Sequence, residues 1–290
     1  MKNLLKLSDC SIEYINKLLD KSELCKIGKY DNSCINKIVV NCFFEPSTRT
    51  HYSFQVAQEK LGCKVINFYP HDSSILKGET FYDSIMVFDS YSPDALVIRS
   101  NENEYYKQLL NKVHCPIINA GDGTKDHPTQ SLLDLLTIRQ EYGKFDGLKI
   151  AIVGDIKHSR VAHTNIEVMK RLNMDTYISG PSEFKDESYK YIDFNTALSE
   201  MDIIMLLRVQ HERHSTQMKL SKKEYHEKYG LTKERVALMK KHSIIMHPAP
   251  FNRGVEIADD VVECEKSRIF KQMTNGMYVR MAVMHEMIGE

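Results

Sequence analysis

This chain of 290 residues contains few glycines and prolines, and its cysteines form no recognisable motif. The seven cysteines are an odd number, and none of them falls into a C-x-x-C pair. We therefore expect neither a disulfide framework nor a zinc site, and a reducing cytoplasm is the expected location. With only 13 Gly and 8 Pro, no low-complexity tract and no internal repeat, the composition is that of a globular protein.

An excess of charge and a long apolar run are also absent. Lys plus Arg and Asp plus Glu number 39 each, so the formal net charge is +0. This balance argues against a general nucleic-acid binder, although it leaves room for a local basic pocket. No apolar run approaches the roughly 18 residues of a membrane span, and the opening residues, MKNLLKLSDCSIEY, are too polar for a signal peptide. We expect neither a nucleic-acid partner nor a membrane.

Strand-like and helix-like runs alternate along the chain, which is long enough for two ordinary domains. The strand candidates are residues 38–44, 63–69, 94–99, 115–120, 148–155, 174–179, 202–208 and 243–247. The helix candidates are residues 11–22, 49–61, 79–91, 102–112, 128–142, 160–172, 233–241 and 270–289. Such alternation predicts an α/β fold with two domains, each a mostly parallel sheet with helices on both faces.

A domain boundary is predicted in the stretch Tyr142-Gly-Lys-Phe-Asp-Gly147, which follows a long helix and precedes a new strand. The predicted domains are residues 1–143 and 144–290. The last helix, 270–290, could fold back onto the first domain.

The stretch FFEPSTRT, residues 43–50, places four anion-binding side chains on one strand-to-helix turn: Ser47, Thr48, Arg49 and Thr50. In parallel sheets ligands sit outside the carboxyl ends of the strands, which is where this turn lies. The N-terminus of the following helix would favour an anion by roughly 0.3–1 kcal/mol. A simple helix cap is the alternative, but a cap needs only one such residue. We therefore predict a phosphate site.

Polar residues follow three further strands of the first half. Arg99 ends an apolar strand, and His127 and Gln130 lie one turn apart where a long helix begins, so both face the same rim. A His and an amide there can donate hydrogen bonds to a carbonyl oxygen, and a His that only caps the helix is the alternative. The loop that contains Ser73 and Lys77 is, taken alone, more typical of a solvated surface loop.

The second half repeats the arrangement with two arginines. Arg160 follows one strand at a helix start, and Arg208 ends another. Two cations suit a ligand with two carboxylates, because Arg binds a carboxylate through two hydrogen bonds, but two unrelated surface arginines are an equal alternative. A Pro-rich turn, 246–254, follows a third strand. No G-x-G-x-x-G is present, so a nicotinamide dehydrogenase gains no support.

Five motifs resemble those of the aspartate/ornithine carbamoyltransferases, in the order and spacing of that family. They are FFEPSTRTHYSF (43–54), SSILKGE (73–79), HPTQSLLDL (127–135), RVQHER (208–213) and HPAPFNRGVEI (247–257). The likeness runs from about residue 35 to the end of the chain. The R-V-Q and H-P-x-P motifs are similar to the aspartate branch, whereas the ornithine branch typically carries H-C-L-P in the last position.

The resemblance implies roles for the residues of the first half. Ser47, Thr48, Arg49 and Thr50 would hold the phosphate of carbamoyl phosphate. Arg99, His127 and Gln130 would bind its carbamoyl end, with Thr50 also near the carbonyl. In the family the 73–77 loop reaches the active site of the adjacent subunit, and Ser73 and Lys77 match its Ser and Lys. The implied assembly is a homotrimer with shared active sites.

For the second substrate, the resemblance implies that Arg160, Arg208 and Gln210 hold the two carboxylates of L-aspartate. The Ala249 carbonyl and Pro250 would contact its amine side, and Lys77 would also reach it. Ala249 departs from some members, which carry Leu between the two prolines. Lys77 is the only Lys or Arg of its loop, where some members have a second basic residue.

The implied chemistry is direct transfer, with no cofactor and no metal. The neutral amine of aspartate attacks the carbamoyl carbon and phosphate leaves, giving N-carbamoyl-L-aspartate for de novo pyrimidine biosynthesis. The catalytic set would be Arg49, Thr50, Lys77, Arg99 and His127, and the leaving phosphate could accept the amine proton. An ornithine or other carbamoyltransferase is the main alternative, and a non-catalytic binding protein of the same fold is another. Separate regulatory chains are possible partners.

Overall fold

A computed structural model describes residues 3–209 and 220–289, apart from the side chain of Asp72. The strands in these residues are β1 (Ile38–Phe43), β2 (Lys64–Phe68), β3 (Ala95–Ser100), β4 (Ile117–Asp122), β5 (Lys149–Val153), β6 (Asp175–Ser179), β7 (Ile203–Leu206) and β8 (Ile244–Met246). The α-helices are α1 (Ile12–Lys26), α2 (Thr48–Lys60), α3 (Phe81–Ser90), α4 (Pro128–Tyr142), α5 (Arg160–Arg171), α6 (Phe194–Glu200), α7 (Lys222–Tyr229), α8 (Lys233–Ala237) and α9 (Ile269–Ile288).

The chain divides into two compact units. The first consists of Met1–Leu136 with Met273–Glu290, and the second of Thr137–Gln272. Each unit has its own four-stranded sheet, and every strand pair in both sheets is parallel. The predicted α/β class with two parallel sheets is therefore confirmed. None of the helices in the described residues is long and apolar enough to cross a membrane.

The first sheet has the strand order β2-β1-β3-β4. The chain leaves β1 towards one edge to form β2, and then crosses back to place β3 on the other side of β1. Phe43 pairs with Arg99, so the ends of β1 and β3 lie side by side at this reversal. Loops that follow two strands diverge at such a point and leave a crevice for a ligand.

The central strands of the first sheet are apolar runs in the sequence because their side chains are buried. Val39 and Val40 in β1 and Leu96, Val97 and Ile98 in β3 are fully buried, as expected for a parallel sheet covered on both faces. The edge strand β2 differs, because its residues are partly or fully exposed.

The second sheet repeats the same strand order as β6-β5-β7-β8. Here β5 takes the place of β1, and β7 takes the place of β3. Val153 pairs with Leu206, so the ends of β5 and β7 are adjacent at the reversal of this sheet. Each unit thus offers one crevice of the same topological kind.

The predicted helix at 102–112 is wrong. Only a short 3-10 helix, Tyr105–Gln108, forms there, and Glu104 and Asn111 adopt left-handed conformations with φ of 52° and 62°. Left-handed residues interrupt a right-handed helix. The backbone N–H of Glu104 donates to the Asp122 carboxylate at 2.9 Å, a tertiary contact that the local pattern does not contain.

Two helices were missed, and one is shorter than predicted. α6 and α7 had no predicted counterpart, and α8 ends at Ala237 where the prediction ran to residue 241. α7 begins with a capping box, in which Ser221 and Glu224 cap each other's backbone N–H groups. The S-x-x-E spacing is a sequence signal that could have revealed this helix.

Candidate active site

The turn after β1 presents hydroxyl groups that the helix does not use. Ser47 is the N-cap residue of α2, yet in the described residues its side chain makes no capping hydrogen bond. A side-chain oxygen does cap the backbone at six other helices, through Ser11, Thr80, Ser159, Asp193, Ser221 and Thr232. The alternative interpretation of this turn as a simple cap through Ser47 therefore has no support, and the N-terminus of α2 is the kind of position that favours an anion.

The four residues predicted to bind phosphate differ in how far they are exposed to solvent. Thr48 and Arg49 are exposed, Ser47 is half-buried, and Thr50 is only 7% exposed. The turn thus combines an accessible cation with a hydroxyl fixed in the protein. An anion bound here would contact the helix N-terminus and remain within reach of Arg49.

Arg99 on β3 is directed at this turn by an acidic residue. Its Nε donates to Glu45 Oε1 at 2.6 Å, and both side chains are mostly buried. Its Nη1 lies 3.5 Å from Thr50 Oγ1 and 3.5 Å from the Ala120 carbonyl oxygen, so the guanidinium spans from the turn to β4. Glu45 was not predicted as a site residue, although it stands two positions before Ser47.

His127 and Gln130 lie at the start of α4, beyond the end of β4. They are 4% and 7% exposed, and the Gln130 backbone N–H donates to the His127 carbonyl at 3.0 Å. The Gln130 side-chain amide donates to Asp134 Oδ1 at 3.0 Å, and Asp134 is fully buried. Asp134, which sequence reasoning missed, therefore holds the amide in one orientation.

Two further carboxylates lie next to this helix start. Burial, with the neighbouring charge of Asp122, raises the pKa of Asp126 to about 6. Asp122 is fully buried and accepts the backbone N–H groups of Asp126 and Glu104 at 2.6 and 2.9 Å. Ionised Asp126 is thus unfavourable where it lies.

The structure brings most of the predicted carbamoyl-phosphate residues to one sheet edge. The 47–50 turn follows β1, Arg99 lies next to it on β3, and His127 and Gln130 follow β4. The clearest link is the contact of Arg99 with Thr50. Their individual roles stay predictions.

The 73–77 loop is held by its own local hydrogen bonds. Ser73 donates to the Pro70 carbonyl at 2.7 Å, and a short 3-10 helix, Ser74–Lys77, ends at Gly78 in a left-handed conformation. The Lys77 side chain is exposed and makes no hydrogen bond or ion pair with any residue of 3–209 or 220–289. The adjacent Leu76 is 73% exposed. Within its own chain, the loop thus leaves its Lys directed at solvent.

In the second unit the two arginines follow the two central strands. Arg160 is the first residue of α5, and Arg208 lies two residues past the end of β7. Both are half-buried. Gly154, with φ of 132°, directly follows β5, and an added Cβ there would lie 3.1 Å from Leu207 Cβ. Gly154 therefore permits the close approach of the two strand ends beside Arg208.

The turn after β8 is fixed by buried polar groups. The His247 backbone N–H donates to Gln272 Oε1 and the Ala249 N–H donates to His247 Nδ1, each at 2.9 Å. Glu256 lies 3.5 Å from His247 Nε2, and both are buried. Ala249 has φ of 53°, a left-handed conformation that costs roughly 1–2 kcal/mol for a residue with a Cβ. The turn is therefore held in a conformation it would not adopt alone.

A side chain from this turn joins it to the Arg208 segment. Asn252 Nδ2 donates to the Val209 carbonyl at 3.0 Å, and its backbone N–H donates to Glu256 Oε1. The predicted aspartate residues Arg208, Ala249 and Pro250 thus belong to two connected segments. Asn252 and Glu256 had been quoted only as part of a motif and were not predicted as site residues.

One predicted site residue cannot be placed. Gln210, a predicted aspartate ligand, lies outside the described residues. Within 3–209 and 220–289, no group of three or more His, Cys, Asp and Glu side chains has an arrangement suited to a metal ion.

Comparison with known proteins finds similarity along nearly the whole chain. A family model described as "Aspartate/ornithine carbamoyltransferase, carbamoyl-P binding domain" matches residues 2–140, and one described as "Aspartate/ornithine carbamoyltransferase, Asp/Orn binding domain" matches residues 146–287.

Solved structures of aspartate transcarbamoylase from Trypanosoma cruzi are similar over 98% of this chain. The complex with N-(phosphonacetyl)-L-aspartic acid has 30% identity, a TM-score of 0.89 and 94% of its own chain covered. The complex with carbamoyl phosphate and aspartate has 29% identity, a TM-score of 0.88 and 95% covered. The ligand-free form has 28% identity, a TM-score of 0.84 and 95% covered.

Proposed function

The chain belongs to the aspartate/ornithine carbamoyltransferase family, and we propose that it transfers the carbamoyl group of carbamoyl phosphate to the amine of L-aspartate. The products are N-carbamoyl-L-aspartate and phosphate. The observation that carries the choice of aspartate over ornithine is the similarity, over 98% of the chain, to a transcarbamoylase solved with carbamoyl phosphate and aspartate. Arg160 and Arg208 at the strand reversal of the second sheet agree with a substrate that has two carboxylates.

Carbamoyl phosphate is a dianion, and the first unit supplies groups suited to it. Ser47, Thr48 and Thr50 donate hydroxyl hydrogen bonds to the phosphate oxygens, together with N–H groups of the first turn of α2, and Arg49 neutralises charge. The unused hydroxyl of Ser47 supports this assignment, since a capping Ser would be occupied by its own helix. Ser73 and Lys77 complete the phosphate site from another subunit.

The reaction is a direct substitution at the carbamoyl carbon. The neutral amine of aspartate forms the new C–N bond, and a tetrahedral intermediate carries negative charge on the former carbonyl oxygen. Thr50, Arg99 and His127 stabilise that oxygen, which is the kind of stabilisation that contributes about 10²–10³-fold per donor. The C–O bond to phosphate then breaks, and the leaving phosphate takes the amine proton. Gln130, held by Asp134, binds the carbamoyl amide.

The second unit binds aspartate through its carboxylates and its amine. Arg160, Arg208 and Gln210 hold the two carboxylates, and Lys77 of a neighbouring subunit adds a further positive charge. The Ala249 carbonyl and Pro250 contact the amine. The hydrogen bonds that fix the 247–252 turn support this part, because a carbonyl can select an amine only if its backbone is held in place.

A homotrimer with shared sites is part of the proposal, as are cytoplasmic location and a place in de novo pyrimidine biosynthesis. Exposed apolar side chains near the 73–77 loop support self-association. The His51 ring stacks on Tyr52 at 5.3 Å and lies 5.8 Å from the Tyr69 ring, so two exposed tyrosines border one surface. Exposed Ile66 and Leu76 extend the apolar side chains of this region.

The function is tested by offering L-aspartate and L-ornithine separately with carbamoyl phosphate. We expect carbamoyl aspartate and phosphate in equal amounts, no product with ornithine, and inhibition by N-(phosphonacetyl)-L-aspartate. Turnover of ornithine but not aspartate would overturn the choice of acceptor. An absence of turnover with either amine would overturn the carbamoyltransferase assignment itself.

Shared sites are tested by mixing two inactive variants. Chains with Lys77→Ala and chains with His127→Ala are denatured, mixed and refolded. A mixed trimer can contain an interface with an intact Lys77 from one chain and an intact His127 from the other, so a minority of sites should regain activity. Each variant refolded alone should stay inactive. If native mass spectrometry shows hybrid trimers and the mixture remains inactive, Lys77 does not act across the interface.

A further inference from the structure

Arg280 in α9 is a buried cation that none of the predicted roles includes. Its side chain is within the core of the first unit, and the residue is 3% exposed. Burial, and secondarily the positive charge of Arg99, lower the pKa of Arg280 to about 9, while Asp134 opposes this change. A charge kept in such a place lowers the stability of the fold unless its contacts compensate. Its surroundings should therefore explain why a cation is there.

The guanidinium of Arg280 holds the helix that begins with the phosphate turn. Its Nη1 donates to Ser53 Oγ at 3.0 Å, and its central carbon lies 5.1 Å from the centre of the Phe54 ring. Ser53 and Phe54 lie one turn beyond Arg49 and Thr50 on α2. One turn earlier on α9, an added Cβ at Gly276 would lie 2.6 Å from the Arg280 guanidinium. Gly276 thus leaves the space that the guanidinium occupies.

Two charged side chains near the predicted carbamoyl end influence the charge of Arg280. The buried carboxylate of Asp134 attracts the Arg280 charge, and the same carboxylate accepts the Gln130 side-chain amide at 3.0 Å. Arg99, which contacts Thr50, is close enough to repel Arg280.

We infer that Arg280 is a positioning residue for carbamoyl phosphate: it holds α2 through the hydrogen bond to Ser53 and the contact with the Phe54 ring, and thereby fixes the turn that carries Arg49 and Thr50. This inference rests on the proposed function, and Arg280 itself need not touch the substrate. It predicts that loss of Arg280 clearly lowers the affinity for carbamoyl phosphate, while the melting temperature of the protein changes little.

The test measures carbamoyl-phosphate affinity by calorimetry, with inorganic phosphate as a second probe, in the full chain. Arg280→Met should bind carbamoyl phosphate at least about tenfold more weakly, which corresponds to roughly 1.4 kcal/mol. Arg280→Lys, which keeps the charge, should recover part of the affinity. The KM of aspartate should change much less than the KM of carbamoyl phosphate. The matched control is Lys60→Met, which removes an exposed cation at the far end of α2 and should leave both affinities unchanged.

Removing Arg280 alone removes a positive charge that favours the buried Asp134 carboxylate, and that variant could fail to fold. The double variant Arg280→Met with Asp134→Asn removes both charges, and Ser53→Ala removes only the hydrogen bond to α2. Each should weaken carbamoyl-phosphate binding while the melting temperature stays close to that of the parent. Parental affinity in the folded double variant, or in Ser53→Ala if neither Arg280→Met form folds, would overturn the inference. If the parent protein binds neither probe, the proposed function has failed instead.

Discussion

The two units share one sheet topology but build their crevices from different parts. In the first, the groups lie on helix starts that follow β1 and β4, together with Arg99 inside β3. In the second, two half-buried arginines follow β5 and β7, and a Pro-rich turn follows β8. A compact phosphate suits the N–H groups of one helix start, whereas two separate carboxylates each need their own guanidinium. The strand order therefore predicts the position of a ligand in each sheet, and the residues that follow the strands determine which ligand is favoured.

The two crevices also differ in how their polar groups are held. Thr50, His127 and Gln130 are nearly fully buried, and Asp134 fixes the Gln130 amide from below. In the second unit Arg160 begins α5, whereas Arg208, Ala249 and Pro250 lie on two loops that Asn252 connects by one side-chain hydrogen bond to the Val209 carbonyl. We therefore expect a change in the first crevice to reduce catalysis more than a change in the second.

The largest effect is expected for Arg49→Ala in the first crevice. Arg49 is exposed, so its loss should leave the fold intact. Removing a donor that acts on developing or leaving charge should lower kcat by about 10²–10³-fold. Turnover is measured with a colour assay for carbamoyl aspartate, and the control is Lys60→Ala at the other end of the same helix. Near-parental activity would remove Arg49 from the phosphate site.

Arg208→Ala in the second crevice should change a different constant. The KM of aspartate should rise by roughly 10- to 100-fold, the factor for one lost charge-assisted hydrogen bond of about 1.5–3 kcal/mol. Carbamoyl-phosphate affinity should stay near that of the parent, which is the reverse of the pattern for Arg280→Met. Arg208→Lys should not restore aspartate affinity, because an ammonium cannot bind a carboxylate through the same two hydrogen bonds. Equal loss of both affinities would contradict the division of the two sites.

Asn252→Ala tests whether the link between the two loops of the second crevice matters for binding. It removes the hydrogen bond to the Val209 carbonyl. The KM of aspartate should rise roughly fivefold, which corresponds to about 1 kcal/mol, while the affinity for carbamoyl phosphate is unchanged. Asn195→Ala, an exposed Asn on α6, is the matched control. If the KM of aspartate is the same in both variants, the hydrogen bond from Asn252 to Val209 does not contribute to aspartate binding.

The smallest effect concerns stability and pH at the rim of the first crevice. The pKa of Asp126 in the folded chain is raised to about 6, above its unfolded value of about 3.9. As pH rises between these values the unfolded chain ionises first, so a stability penalty develops and is complete above pH of about 6.

Asp126→Asn should therefore raise the free energy of unfolding by about 1 kcal/mol at pH 8, once solvent screening of this partly exposed carboxylate is allowed for. It should give no gain at pH of about 3.5, below the unfolded pKa. Urea unfolding at both pH values measures the difference. The control is Asp146→Asn, an exposed aspartate in the second unit, which should show no such dependence. A gain of equal size at both pH values would show that charge is not the cause.

Local patterns predicted most of the fold because buried parallel strands are continuous apolar runs. All eight predicted strands exist, including the short β8, whose three residues are buried. The prediction of a helix at 102–112 was wrong for a reason that lies outside that segment. Asp122 accepts the Glu104 N–H, and Glu104 adopts a left-handed conformation that interrupts a helix. The capping box of α7 was visible in the sequence and was overlooked.

By itself, the sequence determined which strand ends carry anion-binding groups. The residues 47–50, Arg99 and His127 each follow or end an apolar run, so short segments were enough to find them. Only the tertiary structure showed which residues hold them in place. Glu45 and Arg99 are 54 positions apart, Asn252 and Val209 are 43 apart, and Arg280 and Ser53 are 227 apart. The physical reason is that a motif consists of residues that are close in the sequence. A tertiary hydrogen bond or the environment of a buried charge depends on residues that are distant in the sequence and meet only in the folded chain.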